Sequence, residues 1–86
     1  MTAEQGRLRR KIVAAFSYAV ARQWAQMRGV APRDLVYLHD VRQIEGVHPQ
    51  EIILTDGWSE HRENGEALTY AHERGFTMRH DPMFPR

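Results

Sequence analysis

Apolar residues along this 86-residue chain gather into two short unbroken runs and two stripes of helical spacing. The unbroken runs are "LVYLHD" (35–40) and "EIILTDGW" (51–58), rich in β-branched, aromatic and aliphatic residues and bounded by turn formers. Apolar character that does not alternate marks a strand covered on both faces, the pattern of a parallel sheet. Over residues 18–28, Val20, Trp24 and Met27 recur at helical spacing, and Gly29 and Pro32 end the element. The segment "ENGEALTYAHERGF" (63–76) reads as a second helix. Ala67, Tyr70 and Ala71 share one of its faces, Asn64 is placed to cap its start, and Gly75 to stop it. A last short strand, "FTM" (76–78), is expected to follow.

Residues 11–16, "KIVAAF", fit two elements. Leu8, Ile12, Phe16, Ala19 or Val20, Trp24 and Met27 carry the helical rhythm backward, which would make residues 7–28 one long helix. The strand is the preferred reading, because Ile12 and Val13 are a β-branched pair and Ser17 is placed to cap a helix starting after it. The order is then strand, helix, strand, short crossover, strand, helix. It implies an α/β fold: a minimal Rossmann-like parallel sheet of three to four strands, order 2-1-3, flanked by helices. Residues 41–50 between the second and third strands leave room for one helical turn around "VRQIEG". Residues 1–86 make a single small domain, with 1–10 and 79–86 read as loose termini.

Composition narrows the functional classes. Twelve basic residues face eleven acidic ones, for a net charge of +1. A nucleic-acid binder normally carries a clear basic excess, so that role is not expected. The chain has no cysteine, which excludes disulfides and thiolate metal sites. It also lacks an apolar run of ~20 residues and a secretory leader, so no membrane span is expected and the cytoplasm is the expected compartment. A sheet this small leaves edges open, and a homodimer or docking on a host protein is the expected remedy.

In open parallel sheets, ligands settle outside the carboxyl ends of the strands, where successive connections leave to opposite faces. The residues at those positions form a polar set. Ser17 and Tyr18 follow the first strand, His39 and Asp40 end the second, and Asp56, Gly57 and Trp58 follow the third. Arg62, Glu63 and Glu66 lie on the next loop and helix start. Carboxylates hold ribose hydroxyls or move protons, tryptophan offers a stacking face, and glycine lets a backbone approach a ligand. The same residue types are ordinary turn and cap chemistry, and Ser17 and Asp40 are each placed to cap the helical turn that follows. Neither G-x-G-x-x-G nor G-x-x-x-x-G-K-[ST] is present, so no dinucleotide or nucleotide cofactor is expected. The five histidines (39, 48, 61, 72 and 80) fall in no compact ligand spacing, and no metal is expected either.

Residues 53–76, "ILTDGWSEHRENGEALTYAHERGF", resemble the third strand and following helix of nucleoside 2-deoxyribosyltransferase-like proteins, including small phage-encoded relatives. The whole chain is similar to the small α/β proteins encoded by phages of actinobacteria. The first resemblance implies a nucleoside-sized site in which a helix glutamate attacks the sugar. Glu66 is the matching residue, one position early, which on a helix is a rotation of ~100°. Two functions follow as expectations. One is a small non-catalytic binding or interaction protein, an accessory factor of a phage or mobile element. The other is a nucleoside-processing enzyme with Glu66 or Glu63 as nucleophile and Asp56 positioning it. A nucleoside or nucleotide is the small ligand either would take.

Overall fold

The computed structural model describes residues 10–84, with Arg62 and Glu63 given by their backbone. Strand β1 (Lys11–Ala14) leads to helix α1 (Tyr18–Met27), β2 (Leu35–Tyr37), β3 (Glu51–Leu54), helix α2 (Arg62–Glu73) and β4 (Thr77–His80). The four strands form one sheet in the order β2-β1-β3-β4, and every neighbouring pair is parallel. This is the small doubly wound sheet expected from the apolar runs. Residues 11–14 are strand rather than helix, because β-branched Ile12 and Val13 are buried on opposite faces of the sheet.

Each face of the sheet has its own core. On one face α1 packs Ala21, Trp24 and Ala25 against Val13 and Ile53. On the other, α2 packs Ala67 and Ala71 against Ile12, Ile52 and Leu54. Alanines four residues apart let both helices approach the strands closely, while Trp24, only 2% exposed, fills the wider gap. Met27, expected on the buried stripe, is instead exposed at the last turn of α1. The stripe drifts round the helix, and Ala21, Trp24 and Ala25 carry the contact.

The other departures from expectation lie at element ends. The crossover from β2 to β3 holds a single tight turn, Val41–Gln43, with the buried Ile44 behind it. Asn64 does not cap α2: the helix already starts at Arg62 with His61 before it, and Asn64 lies buried inside the first turn. Residues 79–84, the described part of the expected tail, are not loose. Residues 79 and 80 belong to β4, which pairs with β3 along its length. Beyond it, Asp81 binds α1 and Met83 is buried in the α1-side core. The expected loose lead-in falls almost wholly outside the described residues. No described helix is long and apolar enough to cross a membrane.

Candidate functional site

The chain leaves β1 for α1 on one face and β3 for α2 on the other, so the reversal point lies between the carboxyl ends of β1 and β3. That crevice is filled by the chain itself. The Thr55 amide donates to the Ala14 carbonyl at 3.0 Å, and the Phe16 amide donates to the Asp56 carbonyl at 2.9 Å. Gly57 follows with a left-handed φ of 73°, and a Cβ at this position would overlap the Cβ of Phe16. Glycine is required here by a neighbouring side chain of the same molecule.

The candidate polar residues are mostly engaged in the same way. Ser17 caps α1, its Oγ accepting from the Val20 amide at 3.3 Å. Asp40 caps the Val41–Gln43 turn, accepting from the Arg42 amide at 2.8 Å, and pairs with the Arg42 guanidinium at 3.0 Å. The Arg42 hydrogen bonds hold its carboxyl down at a pKa of about 2. Asp56 turns its Oδ2 to the Met83 amide at 2.9 Å, tying the C-terminal segment to the end of β3. Trp58 opens a short turn, half-buried against the α2-side core, with its ring edge-on to His80 at 5.7 Å. Arg62 and Glu63 stand at the start of α2.

Glu66 is exposed on α2, at an open, shallow depression of about 440 Å³. The described residues lining it are Val41, Gly65, Glu66, Thr69, Tyr70 and Glu73. Neither Asp56 nor Trp58 is among them, so the structure does not bring the proposed nucleophile and its positioning carboxylate to one cavity.

The carboxyl end of the β1–β2 side presents rings. Tyr37, at the end of β2, has Tyr18, His39 and His61 around it, each with its ring centroid 5.9 Å away. Phe16 and Tyr18 are each 53% exposed. His61 reaches this cluster because the segment from Thr55 to Asn64 crosses the end of β1: the Asn64 side-chain Nδ2 donates to the carbonyls of Ala15 and Trp58, both at 3.2 Å. Three buried polar atoms on that segment have no hydrogen-bond partner among the described residues: Thr55 Oγ1, His61 Nδ1 and Asn64 Oδ1. Among the described residues, no group of three His, Asp or Glu comes together to hold a metal ion.

Sequence reasoning passed over Phe16, Tyr37, Gln43 and Asp81. Gln43 had a readable signal, since it stands three residues after Asp40 in the spacing of a capping box. It completes that box, accepting the Asp40 amide at 3.0 Å and the His39 amide at 2.7 Å, and it donates to the Tyr37 carbonyl at 2.8 Å. Asp81 had no local signal. It accepts from the Trp24 indole at 2.8 Å and pairs with Arg28 at 2.7 Å, more than fifty residues away in sequence. The hydrogen bond from Arg28 is the main reason its carboxyl is held at about 2.

The fold thus defines a small doubly wound α/β protein with an aromatic carboxyl end. No family model matches the chain, and neither a curated protein nor a solved structure does.

Proposed function

We propose that this chain is a non-catalytic binding protein, of the accessory kind implied by its resemblance to phage-encoded α/β proteins, and that it contacts its partner through the aromatic carboxyl end. The observation that carries this reading is one of availability. Ser17, Asp40 and Asp56 are engaged inside the chain, while the apolar rings of Phe16 and Tyr18 stand more than half exposed beside Tyr37. Acid–base or nucleophilic work needs a free, positioned carboxylate near its partner group. Contact by burial needs exposed rings on a fixed scaffold, and aromatic residues are favoured at such interfaces.

The test has two arms. Incubation with 2′-deoxynucleosides is expected to release no free base, and release by the wild type that is lost in Glu66→Gln would overturn the non-catalytic reading. Affinity capture from the native host should recover a partner with the wild type but not with a Phe16→Ala, Tyr18→Ala double variant. Equal capture by both proteins would place the contact surface elsewhere.

A further inference from the structure

The two edges of the sheet are finished differently. In a parallel ladder, alternate residues turn both backbone groups to the same side. On β2, the Leu38 amide donates to Val13, so Leu35, Tyr37 and His39 turn theirs outward. Those outward groups are largely occupied. The Leu35 amide donates to the Pro32 carbonyl, and the Gln43 side chain takes the Tyr37 carbonyl and the His39 amide. Gln43 therefore closes this edge to a further strand.

On β4 the amides of Thr77 and Asp81 donate inward to the carbonyls of Gln50 and Leu54. The backbone groups of Met78 and His80 consequently face outward, and among the described residues β4 has only β3 as a neighbour. The Phe76 carbonyl lies on the same outward side by the same alternation. Pro82, which has no amide hydrogen, ends the open stretch.

We infer that β4 is a homodimer interface, two copies pairing β4 antiparallel about a two-fold axis at Met78 to give a continuous eight-stranded sheet. In this register Met78 of each copy exchanges both backbone hydrogen bonds with Met78 of the other. The His80 amide reaches the Phe76 carbonyl of the second copy, and symmetry doubles that bond. Met78 lies on the α2 face with the core there, so the pair extends an apolar layer. On the opposite face, exposed Thr77 meets Arg79 of the second copy, so no like charges are opposed. A second copy is the occupant for two reasons: the register is self-complementary, and one open edge among the described strands makes pairing stop at two.

Sedimentation equilibrium tests this directly. The wild type is expected to dimerise at micromolar concentration, with a mass of twice 10.1 kDa. Met78→Pro removes an amide that bonds nothing within the protomer, and should weaken the dimer by about tenfold or more. Thr77→Lys sets a lysine against Arg79 of the second copy while facing Glu51 in its own chain. It should weaken the dimer comparably, and it decides the matter if Met78→Pro fails to fold. In the dimer, the Met78 and His80 amides should exchange with solvent more slowly than in the monomer. A wild type monomeric at high micromolar concentration overturns the inference. So does a dimer that Thr77→Lys leaves intact, or an edge that pairs only with another protein's strand.

Discussion

At the carboxyl ends of β1, β2 and β3, where residue types promise chemistry, the polar groups are mostly consumed by the fold; along β4, where they promise little, backbone hydrogen bonds are left over. Ser17, Asp40 and Asp56 look like ligands and serve as a helix cap, a turn cap and an anchor for Met83. Met78 and His80 look like unremarkable strand residues, yet their outward backbone groups have no neighbouring strand among the described residues. In a chain of this size, the groups available for recognition are those the fold has no use for. A polar residue type by itself does not show which those are.

The contrast breaks most severely at Gly57. A Gly57→Val variant combines a β-branched residue at positive φ with overlap on Phe16, and should lose about 3 kcal/mol or more in urea denaturation. Retention of wild-type stability would mean that Phe16 moves aside and the crevice is not closed.

Asp81→Ala comes next. It strands the Trp24 indole N–H and removes the Arg28 pair, for an expected loss of about 2 kcal/mol. The pH dependence has a definite sign. The folded carboxyl lies at about 2, below its ordinary value of 3.8, so its contribution is full above about pH 4 and is lost as pH falls from there towards 2. The stability gap between wild type and Asp81→Ala should therefore narrow across that window. A gap that stays constant would show that the charge on Asp81 does not carry the stabilisation.

Gln43→Ala should cost about 1 kcal/mol through the lost capping box. It also frees the Tyr37 carbonyl and the His39 amide, making β2 a second open edge. Species larger than a dimer are expected in light scattering, and their absence would show that another group protects β2. The smallest effect should follow Phe16→Ala or Tyr18→Ala. Both side chains are more than half exposed, so each should change stability by only about 0.5 kcal/mol while weakening partner capture. A large stability loss would make these rings structural and remove them from the proposed surface.

Local features were legible because local physics sets them. The unbroken apolar runs fixed β2 and β3, Ser17 marked the start of α1, and Gly75 lies just beyond α2, at a φ of 91°. The 2-1-3 order followed from alternating elements and the geometry of crossovers. Asn64 was misplaced by the same logic, because a residue that suits a cap also suits a buried bond to a carbonyl contributed by β1's exit. Only long-range packing distinguishes the two.

The amino-acid sequence by itself determined β2, β3, the two helices and the parallel α/β class of fold, since apolar periodicity and capping chemistry act over a few residues; residues 11–16 fitted two elements and the extent of β4 was not legible. The tertiary structure alone decided which polar groups remain available. Phe16 lies 41 residues from Gly57, and Trp24 lies 57 from Asp81. Whether a hydrogen bond is spent or spare depends on such meetings across the folded chain, and no local pattern encodes them.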